Sequence, residues 1–260
     1  MGPPGMSGFA GAVSLLTRVP VRAAIEGRAS LARAVPWFPV VGALVGAGIA
    51  LVYIAAGTIL PAFVAAVLAT AAGVLLTGAF HEDGLGDVAD AFAGGYTVER
   101  RLEILDDPRH GTFGVIAMAL ALLLRVSAIS NLDPWAALAL VPGAHAISRG
   151  ASIALMRRVS VASPSGLGAG YVSALSARGE IAGLASAVVI CTLLIGVWAP
   201  VAVLLCALVV LGMAVLSRAK IGGIGGDVLG ATQQVAEVAV LLLGVAVSQQ
   251  GWGTLAWWRP

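Results

Sequence analysis

The sequence predicts an all-α fold, a polytopic transmembrane helical bundle, with residues 1–260 forming a single integral-membrane domain. Three observations predict it. Of the 260 residues, 59% are hydrophobic and only 11% are charged, whereas soluble domains are about 45–50% apolar and about 25% charged. Mean hydropathy is +0.98. Apolar runs of about 20 residues recur along the chain, long enough to cross a hydrocarbon core of about 30 Å.

Residues 1–8 form a Gly/Pro-rich lead without the basic region or cleavage site of a signal peptide. Residues 7–21, SGFAGAVSLLTRVPV, read either as an interfacial amphipathic helix or as part of a further hairpin. Beyond them, Pro/Gly punctuation divides the apolar runs into about seven spans. These lie near 37–57, 62–80, 113–131, 135–155, 181–198, 200–217 and 228–248. Breaks at Pro61, Asp133-Pro134 and Ala199-Pro200 are short enough for hairpins, while 81–112, 156–180 and 217–227 are longer and more polar. Alternation of short and long connections puts the long ones on one side. The glycines of VVGALVGAG (Gly42, Gly46 and Gly48) permit close helix contact, a packing feature without functional weight.

Charge agrees with this arrangement. Arg18, Arg22, Arg28 and Arg33 lie near the N-terminus, and Arg100, Arg101 and Arg109 in the 81–112 segment. Arg149, Arg157, Arg158 and Arg178 lie in or beside 156–180, and Arg218 and Lys220 in 217–227, leaving Arg125 and Arg259 elsewhere. By the positive-inside rule these segments are cytoplasmic, with the N-terminus in and the C-terminus out for seven spans. A net charge of +2 without a Lys/Arg run speaks against nucleic acid. Cys191 and Cys206 lie in apolar segments and read as packed thiols, and no zinc-ligand spacing exists.

Against this apolar background, GAFHEDGLGDVADAFAGG concentrates four carboxylates, Glu82, Asp83, Asp87 and Asp90. Asp83, Asp87 and Asp90 are spaced i, i+4, i+7, so a helix presents them as one stripe, with Glu82 at its edge. Carboxylates packed together repel unless a cation holds them, and an all-oxygen set suits a hard divalent ion, Mg²⁺ or Mn²⁺. A second cluster, ERRLEILDDPRHGTFG, places Glu99, Glu103 and Asp106 or Asp107 at helical spacing among Arg100, Arg101 and Arg109. Acids for a metal beside arginines for phosphate oxygens are what phosphoryl transfer requires; a solvated loop of mutually paired charges is the plainer reading.

Further along, AKIGGIGGDVLGATQQVAEVAV joins a Gly-rich loop to the last span. Its backbone N–H groups would cradle phosphate at Gly225 and Gly226, although Lys220 precedes the glycines and the Walker pattern is not met. Asp227, Gln234 and Glu237 fall on nearly one helical face, and an ionisable Glu237 within an apolar span marks a polar interior or a site. His81 and His110 flank the acidic clusters, His145 and Arg149 stand at i and i+4 in one span, and Arg125 has no evident partner.

Taken in order, LLTRVPV, PWFPVVGALVGA, FHEDGLGDVADAFAGG, RLEILDDPRHGTFGV and GGDVLGATQQVAE, from about Leu15 to Val240, resemble the adenosylcobinamide-GDP ribazoletransferase (cobalamin synthase) family. Asp106-Asp107-Pro108 departs from the family pattern, and Asp107 is taken as its acid. The resemblance implies a Mg²⁺-dependent enzyme of a prokaryotic cytoplasmic (inner) membrane, its active site facing the cytoplasm. Its substrates would be adenosylcobinamide-GDP and α-ribazole or its 5′-phosphate, its products adenosylcobalamin (or its phosphate) and GMP; a homo-oligomer is left open.

On this reading Glu82, Asp83, Asp87 and Asp90 form the metal shell, with Glu103 and Asp107 as a second contribution. Arg109, Arg149 and Lys220 hold phosphate oxygens, while Asp227 completes the metal site or orients the incoming hydroxyl. The general base is one of the carboxylates or His81. An open cytoplasmic cavity is expected beneath the 81–112 and 217–227 segments. Two rival classes remain. CDP-alcohol phosphatidyltransferases and prenyltransferases also carry spaced aspartates, but Asp87 stands where the DGxxAR start of the former wants alanine. A cation transporter would place its acids at mid-span in discontinuous helices, with repeated halves.

Overall fold

The computed structural model describes residues 4–21, 27–162, 170, 172, 175–251 and 255–258. Arg22 and Arg259, counted above in the charge pattern, lie outside the described residues. The helices are α1 (Pro4–Leu16), α2 (Gly27–Ala34), α3 (Phe38–Gly57), α4 (Ala62–Thr77), α5 (Phe80–Gly94) and α6 (Val98–Leu105). They continue as α7 (Thr112–Ser130), α8 (Pro134–Arg158), α9 (Ala177–Ile195), α10 (Ala199–Ile221) and α11 (Gly226–Gln250). Among the described residues no strand forms, and one parallel bridge pairs Val161 with Ile224.

Among the described residues, five apolar helical stretches are long enough to cross a bilayer: 30–57, 112–130, 134–158, 177–221 and 226–250. Counting the bent pair α4–α5 as a single span makes six, fewer than the seven expected. Part of the difference is the stretch 177–221, which the sequence reading divided in two. An unbroken 45-residue helix would be about 68 Å long, yet Glu180 near its start and Arg218 near its end both reach Arg158. Its limbs α9 and α10 therefore run back on one another through Gly196–Trp198. The rest lies at 62–80. Here α4 stops at Thr77, and Gly78 (φ +68) and Ala79 (φ +58) are both left-handed. The chain consequently turns 89° into α5. The ambiguous 7–21 segment is α1, ending at Leu16, with Thr17 donating its hydroxyl back to the Val13 carbonyl.

At the centre stands α8, capped by Asp133, whose carboxylate accepts from the Trp135 and Ala136 N–H groups, and started by Pro134 at a position where its missing N–H costs nothing. It is buried along nearly its whole length between α3, α9, α10 and α11. Gly42 and Gly46 lie against it, where an added Cβ would meet the His145 carbonyl at 2.5 Å and Pro142 at 2.6 Å. Cys191 and Cys206 are free and buried in the same packing.

The long connections share one end of the bundle. There Arg101 donates to the Lys220 carbonyl, Lys220 Nζ to the Phe92 carbonyl, and Ile224 N–H to the Ser160 carbonyl. The short connections share the other end, where Tyr53 donates to the Leu132 carbonyl and Gln249 to Asn131.

Candidate active site

The bend at Gly78-Ala79 lays α5 across the long-connection end, packed on α7 and α11. The close α5–α11 crossing needs Gly84, since a Cβ there would stand 2.9 Å from the Asp227 carbonyl oxygen. Asp83 and Asp87, one turn apart, converge on a single imidazole. His110 places Nε2 3.2 Å from Asp83 Oδ1 and Nδ1 3.3 Å from Asp87 Oδ1. Asp87 also feels the negative charges of Asp83, Asp227 and Asp90, and Asp227 those of Asp83 and Asp106. Asp83 and Asp87 thus meet on one histidine, with the charge of Asp227 reaching Asp87 and that of Asp106 reaching Asp227.

The other expected ligands are engaged elsewhere. Glu82 points about 100° away from Asp83 around the helix, into the bundle, where its Oε1 meets Arg125 Nη1 at 2.9 Å. Asp90 reaches across to the start of α7, accepting from the Gly111 N–H at 2.6 Å and the Gly114 N–H at 2.9 Å. This is an N-cap supplied by a neighbouring helix, favoured by the partial positive charge there. It also explains the two glycines of HGTFG, whose added Cβ atoms would stand 2.6 Å (Gly111) and 2.3 Å (Gly114) from Asp90 oxygens. Glu103 pairs with Arg100 at 2.8 Å on an exposed face, a contact worth about 0–1 kcal/mol.

Asp107 grips Arg109 with both carboxylate oxygens, at 2.9 and 2.8 Å. The Arg109 side-chain hydrogen bond, followed by its backbone N–H, holds the Asp107 carboxyl down to about 2. Asp106, the alternative to Asp107, is the one whose charge reaches Asp227.

Among the phosphate-binding expectations, Arg109 remains 85% exposed and open to a ligand. Arg149 is buried and donates to the His145 carbonyl at 3.0 Å. Lys220 is tied to the Phe92 carbonyl. Gly225 caps α11 in an extended conformation with open space beside it, and Gly226 begins the helix, leaving first-turn N–H groups beside Asp227. His81 is buried and set among Arg125, His145, Arg149 and Glu237, away from the role of base.

Beneath α5 lies a buried network that the sequence signalled through Arg125 and Glu237 without revealing its pairing. Arg125 bridges Glu82, Gln234 (2.6 Å) and Glu237 (3.0 Å). Gln233 donates to Glu237 at 2.5 Å and to Ser148 at 3.0 Å. Arg125 pairs with both Glu82 and Glu237, and buried Arg149 feels the charges of the same two acids, so two cations stand against two carboxylates. Glu82 therefore anchors the helix whose next residue, Asp83, is exposed.

Among the described residues no group of three or more His, Cys, Asp or Glu side chains stands ready-made around an ion. The donor chemistry nevertheless fits one: three carboxylates, Asp83, Asp87 and Asp227, repel one another and suit a hard divalent cation. Fold and site define a multi-pass membrane protein with a cluster of carboxylates at one end of its bundle. The pattern of the cobalamin-5-phosphate synthase (CobS) family matches residues 8–246. A protein of Ralstonia nicotianae is 41% identical over 95% of this chain and 93% of its own. One of Bradyrhizobium diazoefficiens is 42% identical over 90% and 92%, and one of Mesorhizobium japonicum 43% over 82% and 83%. Each of the three is named adenosylcobinamide-GDP ribazoletransferase. No solved structure matches the chain. The chain belongs to the cobalamin-5-phosphate synthase family, and with it to the transferases of cobalamin synthesis.

Proposed function

We propose that this chain transfers the adenosylcobinamide phosphate moiety of adenosylcobinamide-GDP to α-ribazole or its 5′-phosphate, releasing GMP. A ribose hydroxyl oxygen bonds to the phosphorus that carries cobinamide. The bond from that phosphorus to the bridging oxygen breaks, GMP departs with the electron pair, and the hydroxyl proton passes to a base. The observation that carries this reading is the convergence of Asp83 and Asp87 on His110 beside the charge of Asp227, in a chain of this family.

Asp83, Asp87 and Asp227 would hold Mg²⁺, which when bound neutralises diphosphate charge that carboxylates alone would repel. Arg109, already splayed on Asp107 and largely exposed, binds phosphate oxygens with its planar fork. The first-turn N–H groups after Gly225 and Gly226 add donors for phosphate. Glu82 and Asp90 act through position, the first fixing α5 to the bundle and the second fixing α7 to α5. The arginines gathered at the long-connection end support a site facing the cytoplasm from a prokaryotic inner membrane.

Incubation of the detergent-purified chain with adenosylcobinamide-GDP, α-ribazole phosphate and Mg²⁺ tests the reading. GMP and a cobalamin product should form in equal amounts and stop on addition of EDTA. No product from folded protein under these conditions overturns it.

A further inference from the structure

A cavity of about 520 Å³ lies between α8, α9 and α10, and none of its lining residues belongs to the carboxylate site. It exists because α9 and α10, reversing at Gly196–Trp198, each pack on α8 and touch one another little. Its walls are small and apolar: Gly150, Ala151 and Ala154 of α8, Ala187 of α9, and Ala207 and Ala214 of α10. Gly150 sits so close to Ala187 that an added Cβ would come within 2.7 Å. Val188 and Leu211 line the cavity and are also exposed, so it opens sideways onto the apolar flank of the bundle.

One end of this cleft differs from the rest. Arg158 and Arg218 line it there, and Arg218 Nη2 donates to the Arg158 carbonyl oxygen. Arg158 and Arg157 share Glu180, at 3.4 and 3.2 Å, and among the described residues it is the one acid in ion-pair contact with this group. Three arginines against one carboxylate leave positive charge at the mouth. Water gains little in an apolar cleft, and a polar nucleotide finds no partners along its walls. A hydrocarbon chain bearing an anionic head matches both halves, in the way that basic pockets between membrane helices take lipid head groups.

We infer that this cleft binds an anionic phospholipid, one acyl chain between α9 and α10 and the phosphate against Arg158 and Arg218. The test is native mass spectrometry of the full chain in detergent, titrated with phosphatidylglycerol and with phosphatidylcholine of the same acyl chains. The wild type should hold phosphatidylglycerol about tenfold more tightly. The double variant Arg158→Gln/Arg218→Gln should bind both lipids alike, and Arg158→Lys/Arg218→Lys should keep the preference. Ala207→Phe, which fills the cleft, should lose phosphatidylglycerol with its arginines intact. Thermal melting followed by circular dichroism identifies any variant that has failed to fold, and the Lys double variant and the wild type then carry the test.

Equal binding of the two lipids by the wild type overturns the proposal. So does a preference that survives loss of both arginines, or filling of the cleft in folded protein. Displacement of the lipid by millimolar inorganic phosphate, with phosphate binding retained in Ala207→Phe, would leave a simple anion site and also overturn it.

Discussion

His110 meets Asp83 and Asp87 through different ring nitrogens, so one imidazole holds apart two carboxylates that share a helical face. Removing either acid should lower GMP release about 100-fold or more, the scale of losing one preorganised electrostatic contact, in protein that still folds. Near-wild-type turnover in Asp83→Ala or Asp87→Ala removes that residue from the reaction. Arg109→Lys should cost about tenfold, because lysine cannot copy the bidentate fork; unchanged kcat and KM exclude the contact. The Asp107 carboxyl, with its folded pKa lowered to about 2, contributes its pairing at all pH values above its unfolded range of about 4. That contribution fades only as pH falls toward 2. The slope of the pH–rate profile between pH 5 and 8 should therefore be the same in Asp107→Asn as in wild type. At this scale the acidic stripe was legible as residue type and spacing, since i, i+4 on a helix needs no tertiary knowledge. Where Glu82, Asp90 and Asp107 turn was not, because their partners Arg125, Gly111 and Arg109 are chosen by packing and turn geometry.

Helix α5 is set by three fixtures: the left-handed pair at Gly78-Ala79, the Glu82–Arg125 ion pair, and the Asp90 cap on α7. A left-handed non-glycine residue costs about 1–2 kcal/mol, so Ala79→Gly should be neutral or slightly stabilising. A β-branched Ala79→Val should melt lower and lose activity together. Asp90→Ala removes two charge-assisted bonds at a helix start and should destabilise by about 1.5–3 kcal/mol, measured as a lowered Tm in detergent. An unchanged Tm means that α7 is capped by something else. Arg125→Ala should be harsher, about 3–5 kcal/mol, because it strands Glu82 and Glu237 in the interior. The double change Arg125→Met, Glu82→Gln, which leaves Glu237 to balance Arg149, should recover most of that loss. The sequence marked Arg125 and Glu237 as anomalies, yet nothing in it joins positions 43 and 109 residues from their partners; only the bundle does.

Across the whole molecule, punctuation by proline and glycine located every apolar helix, and the arginine pattern foretold that the long connections would gather together. The expected reversal near Ala199-Pro200 is present at Gly196–Trp198, and the span count departs where local hydropathy carries no information about direction: at Gly78-Ala79 the chain turns sideways. The most central helix, α8, is also the least apolar of the spanning stretches, with a mean hydropathy of 1.2 against as much as 2.8 in 177–221. It carries Arg149 and His145 into the buried interior, where His145 Nε2 lies 3.5 Å from Glu237. An arginine at mid-span costs about 2.5–3.5 kcal/mol on entering lipid alone. During synthesis, then, α8 meets the bilayer before Glu237 of α11 has been made, and α3, whose Gly42 makes room for the Arg149 side chain, is the neighbour already waiting. The order of helices along the chain is thereby also an order of assembly: an escort first, the charged passenger next, and its counter-ion last.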